Sequence, residues 1–332
     1  MPVPILRLPH LAFENIYRHW KIAEIILLSQ CSKRTKTVVK FMEKRRESAL
    51  EVRIDTTEAS VSVITGYKTV FQWMICLNSN SVVLAHAQDF VDMTFEGQPW
   101  SLARKAFNFP NWLSLPRADG IEQDVLFIVQ FLQALLQSPI AKIHVMSLKN
   151  MSFDKFFRSS SILQTASVID MTYTECSPLQ MSFIFENLNA EKLRFTGRSL
   201  FYQKPVLRFP NIQLINAQWV TAKDFMRMVD TCKKIKLCRT TKISEDHLNK
   251  FVKKWLEGSY ETLEQVEVSR EGVGIRGFLS IREPFNKDVI LNGVEFRRVG
   301  REVEVCRNNG KAARMIFDQG GYYSGRFKFF VL

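Results

Sequence analysis

Apolar positions at the start of the chain recur at helical spacing. Leu8, Leu11, Ile16 and Trp20 follow one another around Pro9, whose fixed φ and missing N–H suit the first turn of a helix. A second run, Ile22, Ile25, Ile26 and Leu28, stops near Ser29, Gln30, Cys31 and Ser32. The hydroxyls there suit the N-cap of a third helix through Val38, Val39 and Phe41. Three short helices in about forty residues are too few to bury a self-sufficient core. Several of these side chains are therefore expected to stay exposed until a partner covers them.

The period changes beyond residue 48. Residues 52–54, 60–64 and 81–84 are short and β-branched, with Gly and Asn between them, which predicts a β-rich linking region with one helix over residues 49–139. From about residue 140 a looser unit recurs: a β-prone run, a polar break, then a helix-periodic segment. The runs are residues 143–145, 168–170, 192–195, 212–215, 235–237 and 266–268. Helices are expected between them over residues 152–157, 177–188, 221–232 and 244–256. Spacings of roughly twenty to thirty residues fall in the range of leucine-rich repeats. They vary, however, and lack a regular Asn ladder, so the expectation is an irregular repeat-like α/β layer over residues 140–270; a non-repetitive α/β domain fits the same elements. Residues 278–282, 294–298, 303–307, 312–317 and 326–331 read as strands again, with Asn308, Asn309 and Gly310 as a hairpin turn. That predicts a β-rich C-terminal cap over residues 271–332.

Composition narrows the class. The chain has 332 residues, 46% of them apolar, enough for more than one unit with a core. Six cysteines form no CxxC pair and no secretory start precedes them, so reduced thiols inside a cell, in cytoplasm or nucleus, are expected. No run of about eighteen apolar residues occurs, so no membrane span is expected. Asn150, Met151 and Ser152 match a glycosylation acceptor, which without a secretory signal carries no weight.

Catalytic motifs fail on context. Gly272, Gly274 and Gly277 satisfy GxGxxG, but the following residues read as a strand, whereas a dinucleotide site must open a helix. No GxxxxGK[ST] is present, and the five histidines share no metal-ligand spacing. Cys232 and Cys238 lie among lysines, yet buried structural thiols explain them better than nucleophiles do. Neither an enzyme nor a cofactor is expected.

Leu6, Arg7, Leu8 and Pro9, followed by Cys31, Ser32, Lys33 and Arg34, make residues 4–45 resemble an F-box, in the variant found in nematode F-box proteins. Thr221 to Asp224, Ile243 to Asp246, Phe251 to Trp255, Gly258 and Ser259 make residues 212–268 resemble the type 2 F-box associated domain. The resemblance implies an α+β or α/β chain in which a three-helix F-box at residues 1–48 precedes the repeat-like domain and its cap. It also implies a substrate receptor of a cullin–RING ubiquitin ligase. Leu6, Leu8, Pro9, Leu11, Ile16, Ile25, Leu28, Cys31 and Ser32 would then face a Skp-type adaptor, and the C-terminal domain would hold a protein substrate. The family often has Asp-Pro where this chain has Trp20 to Glu24, which implies a weaker cap on the second helix.

The net charge of +13 supports a rival reading, because phosphate backbones select for such an excess. Basic residues concentrate at 33–46, at 233–242 and at 297–314. Lys233, Lys234, Lys236 and Arg239 are the candidate contacts for an acidic or phosphorylated substrate segment, with a solvated surface as the plainer alternative. Nucleic-acid binding would add exposed aromatics among the basic residues. Phe327, Phe329 and Phe330 near Arg326 and Lys328 read instead as a strand with one buried face.

Overall fold

The computed structural model describes residues 8–44, 46–55, 58–76, 91–104, 111–116, 120–146, 156–157, 165–172, 177–197, 209–271, 290–291, 294–299, 302–307, 309–320 and 324–332. These fall into two units, Met1–Ser167 and Val168–Leu332.

The first unit begins with three helices, α1 (His10–Arg18), α2 (Ile22–Cys31) and α3 (Lys33–Glu43). Pro9 sits at the N-cap of α1, and its carbonyl accepts from Phe13 N at 3.0 Å. At α2, Lys21 N donates to Glu24 Oε2 at 2.8 Å, so a carboxylate three residues inside the helix supplies the cap that Asp-Pro would give. Ser32 caps α3 as the sequence predicts. Its Oγ accepts from Thr35 N at 3.1 Å, while Thr35 Oγ1 accepts from Ser32 N at 2.9 Å. Phe13, Tyr17, Ile22, Ile25, Ile26, Val39 and Met42 are buried.

The rest of this unit is a mixed sheet with a helix against it. Its strands are β1 (Ala49–Ile54), β2 (Glu58–Thr65), β3 (Lys68–Cys76), β4 (Val91–Phe95), β5 (Gln98–Arg104), β6 (Asn111–Ser114) and β7 (Ile140–Val145), with α4 (Ile121–Leu136) between the last two. Neighbours run β4-β5-β6-β3-β2-β1-β7, with β1–β7 and β3–β6 parallel and the other pairs antiparallel. Strand β2 is buried on both sides, Ser60 and Ser62 as well as Val61 and Val63. On one face Trp73 meets Phe95, Trp100 and Trp112 edge-on, with ring centroids 5.1–5.2 Å apart, and Phe131 of α4 at 6.5 Å.

The second unit starts with β8 (Val168–Met171), α5 (Pro178–Asn187), β9 (Lys192–Phe195), β10 (Asn211–Leu214), a 3-10 turn (Ala217–Trp219), α6 (Ala222–Thr231), β11 (Lys234–Thr240), α7 (Glu245–Leu256) and β12 (Gln265–Glu271). All five strands are parallel and in register along β8-β9-β10-β11-β12. Helix starts are set by local polar residues. Ser177 with Gln180 and Thr221 with Asp224 form reciprocal caps on α5 and α6. Helix α7 ends in a Schellman turn: Gly258, at φ +100°, donates to Trp255 O at 3.1 Å, and Ser259 N to Lys254 O at 3.0 Å.

The chain then reverses. Strands β13 (Ile290–Leu291), β14 (Val294–Val299), β15 (Glu302–Cys306), β16 (Ala312–Gly320) and β17 (Ser324–Val331) pair antiparallel in the order β17-β16-β15-β14-β13. β17 pairs antiparallel with β12 along seven residues. Gly310, at φ +82°, turns the β15–β16 hairpin and donates to Arg307 O at 2.9 Å. Opposite it, the Arg307 guanidinium lies 4.0 Å over the Trp255 ring and donates to Ser259 O, joining the hairpin to the end of α7.

This architecture corrects the class expected from the sequence. The chain is β-rich and built on mixed sheets, not a three-helix F-box followed by an irregular leucine-rich-repeat-like α/β domain with a separate β-rich cap. The runs at 143–145, 168–170, 192–195, 212–215, 235–237 and 266–268 do lie in or at strands. They do not coil on as a repeat, because the outer edge of β12 is taken by β17 running the other way. The C-terminal strands thereby extend the sheet instead of capping a stack. Residues 81–84, 152–155 and 278–282, and the Gly272 to Gly277 motif, lie outside the described residues.

Candidate functional site

Two surfaces stand out among the described residues. The first is on α1 and α2. Leu11 is 74% exposed and Ile16 and Leu27 39% each, values that set them apart from ordinary core-facing positions. Pro9, Cys31 and Ser32 are also exposed, and Leu8 and Leu28 are half-buried. Ile25 is fully buried and holds the helices together, so of the expected adaptor-facing residues it is the one that offers no surface. Leu6 lies outside the described residues. Sequence spacing missed Leu27. Its signal was present, because Ile25, Ile26, Leu27 and Leu28 run consecutively and so cover more of the helix than one buried stripe requires.

Beneath this surface Tyr17 Oη donates to Glu43 Oε1 at 2.7 Å inside the helical unit, and Arg46 approaches the same oxygen at 3.3 Å. Burial pushes the Glu43 carboxyl above its usual range, against the opposing pull of Tyr17 and Arg46. Burial, with the Glu43 charge, pushes the Tyr17 phenol far up as well.

The second surface is the outward face of the parallel sheet in the second unit. The side chains alternate strictly. Leu193, Ile212, Ile235 and Val266 on one rung, and Phe195, Leu214, Leu237 and Val268 on another, are buried. The aromatic contacts of Phe251 and Trp255 on α7 with Phe327 and Phe329 put that helix on the buried face. The opposite parity faces outward: Lys192, Asn211, Lys234 and Gln265 share one rung, and Arg194, Gln213, Lys236 and Glu267 the next.

Charge on this face is unevenly paired. Lys234 meets Glu264 at 3.2 Å, but both side chains are half exposed, so the pair contributes no more than about 1 kcal/mol. Glu267, almost buried, is shared between Lys236 at 3.1 Å and Arg326 at 3.4 Å. Arg194 meets Asp170 at 3.6 Å. A depression of about 300 Å³ opens over β10, lined by Lys192, Asn211, Gln213, Lys234, Lys236 and Gln265.

Of the four candidate substrate contacts, the fold brings Lys234 and Lys236 to this depression and separates the other two. Lys233 precedes β11 with its side chain exposed, while its carbonyl accepts from Glu264 N and Gln265 N. Arg239, at φ +60°, donates to Asn216 Oδ1 at 3.3 Å near the bulge at the far end of β11, roughly 10 Å along the strand past Lys236. Lys192 was missed. Its position two residues before Arg194 in an alternating strand carried the signal, but its neighbours on β10 and β11 were not legible.

Among the described residues no group of His, Cys, Asp and Glu could hold a metal ion, and no helix is long and apolar enough to cross a membrane. His247 is a capping residue, its Nδ1 accepting from Ser244 N at 3.0 Å. Cys232 is buried and its thiol pushed up to about 11 by that burial, the reverse of nucleophile activation by nearby lysines.

Residues 201–268 match the family whose description is F-box associated. The match spans β10 to the middle of β12 and so includes Lys234, Lys236 and most of the depression's lining. No curated protein and no solved structure matches the chain. The similarity to an F-box-associated domain is thus confined to a stretch of the second unit.

Proposed function

We propose that this chain is the substrate-recognition subunit of a Skp–cullin–F-box ubiquitin ligase, acting inside the cell. In this reading the N-terminal helices within residues 1–48 dock on a Skp-type adaptor, and the unit containing the F-box-associated domain holds a protein substrate. Ubiquitin transfer then belongs to other subunits, and the chain needs no nucleophile of its own. The observation that carries the reading is the F-box-associated match at residues 201–268, downstream of three short helices that leave Leu11, Ile16 and Leu27 exposed. Exposed Leu and Ile on adjacent short helices cost free energy in water unless a partner covers them, which supports a docking role. The helices themselves stay ordered without the partner because Ile25, Ile26, Val39 and Met42 are buried within the first unit.

The test is a pull-down of the full-length chain with purified Skp-type adaptors. The wild-type chain is expected to bind, and a Leu11→Asp, Ile16→Asp double variant to lose binding while its thermal transition stays in place. Equal binding by the double variant, or none by the wild type, overturns the reading.

A further inference from the structure

We propose that the depression over β10 is a binding site for a single phosphorylated side chain, phosphoserine or phosphothreonine, within an extended peptide; it deepens the substrate-receptor reading and rests on it. The argument begins with register. Lys192, Asn211 and Lys234 occupy one rung on three adjacent strands, so the two lysines flank Asn211 at about 10 Å between backbones. Lys236 stands beside Gln213 on the next rung of the same face. Three flexible ammonium groups and two carboxamides therefore surround one depression of about 300 Å³, with Gln265 on its far wall. A phosphate monoester carries close to two charges and three strong acceptor oxygens, enough for three ammonium donors at once.

The carboxylates on the face select among anions. Glu264 and Glu267 lie on the β12 side and Asp170 on the β8 side, each beside a cation. Lys192, Lys234 and Lys236 converge at the centre, whereas on the flanks Arg194 offsets Asp170 and Arg326 offsets Glu267. A polyanion such as a nucleic acid, crossing the sheet, would pass from the cationic centre to flanks where Asp170 and Glu267 offset the arginines and leave less positive charge for its next phosphates. A peptide with one phosphate places its charge in the middle and lays neutral backbone across the flanks, where Asn211, Gln213 and Gln265 supply both donors and acceptors for it. Lys234 is recruited readily, since its partner Glu264 is half exposed.

The experiment uses the full-length chain and two degenerate peptide libraries, one with a fixed central phosphoserine and one with serine there, in fluorescence anisotropy at about 0.15 M salt. A single-stranded oligonucleotide serves as the polyanion control, and adaptor pull-down is run on the same preparations. The phosphoserine library is expected to bind at least about ten-fold tighter than the serine library, a difference that Lys192→Gln with Lys236→Gln removes, and tighter than the oligonucleotide. Lys233→Gln, outside the depression, should leave it intact. Equal affinity for the two libraries, tighter binding of the oligonucleotide, or undiminished discrimination in the double variant each overturns the site. Adaptor binding without phosphopeptide discrimination removes this inference and leaves the receptor reading standing; discrimination without adaptor binding removes the receptor reading and, with it, the assignment of the peptide as a ligase substrate. A native circular-dichroism spectrum and an unchanged thermal transition certify the variants, and should the double variant unfold, Lys192→Gln alone, at an exposed position, decides the same question.

Discussion

Tyr17 on α1 and Glu43 at the end of α3 are joined by a 2.7 Å hydrogen bond buried inside the N-terminal helical unit. The bond ties α1 to the end of α3, and Phe13 and Trp20 pack around the Tyr17 ring at 5.8 and 5.9 Å. Glu43 has a second oxygen, Oε2, without a hydrogen-bond partner, so the carboxylate depends on Tyr17 and Arg46. Removing the phenol leaves it worse off than replacing the whole pair would. Tyr17→Phe is expected to lower unfolding free energy by about 1–3 kcal/mol, read by urea titration of the full chain. An unchanged midpoint would show that water replaces the phenol at no cost.

Docking and folding are separable on the same helices. Ile25→Ala removes a fully buried side chain and is expected to destabilise by about 2–5 kcal/mol. Leu11→Ala, at a position 74% exposed, is expected to stay within about 0.5 kcal/mol of wild type. Thermal unfolding of the two variants side by side measures the contrast, and a comparable loss in both would mean that Leu11 is covered within the protein.

Alkaline pH should destabilise the second unit through Cys232. Its thiol ionises near 11 in the folded protein against an ordinary value of 9.0, because burial disfavours the thiolate. The unfolded chain therefore releases this proton first, and between about pH 9 and 11 it binds fewer protons than the native state, so stability falls as pH rises through that window. The loss should reach about 1–3 kcal/mol and shrink in Cys232→Ala, against that variant's own baseline at pH 7. A parallel pH dependence in both proteins would assign the effect elsewhere.

The Arg307 guanidinium over Trp255 is planar, and its fork reaches Ser259 O at the same time. Burial also lowers its pKa, so the cation is held there against desolvation. Lysine offers a point charge that cannot stack and donate in this geometry. Arg307→Lys is expected to cost about 1–2 kcal/mol and to alter the near-ultraviolet signal of Trp255; a silent substitution would mean the stacking contributes nothing.

Much of the local structure was legible in the residues. Ser32, Ser177, Thr221 and Ser244 announced helix starts because a hydroxyl or its partner three residues on satisfies amides that the helix leaves open. Lys192 to Phe195 announced a strand by alternation, and Gly310 a turn by its tolerance of positive φ. Those signals act over a few residues and need nothing from the rest of the chain. The class of the protein was not legible, because it depended on which strand took the open edge of β12. A repeat would have filled that edge with a parallel neighbour from the next turn; here β17 arrives antiparallel from more than fifty residues away, and Phe327 and Phe329 alternate as well for either direction. The same limit applied to the candidate site. Lys234 and Lys236 stood out as charges, but Lys192 became their neighbour only through the register of β9, β10 and β11, while Lys233 and Arg239, six residues apart, fall just before β11 and near its end. Sequence alone determined caps, periods and turns, whose energetics are local; tertiary structure alone decided edges, registers and shared faces, because backbone hydrogen bonding between strands does not depend on which side chains they carry.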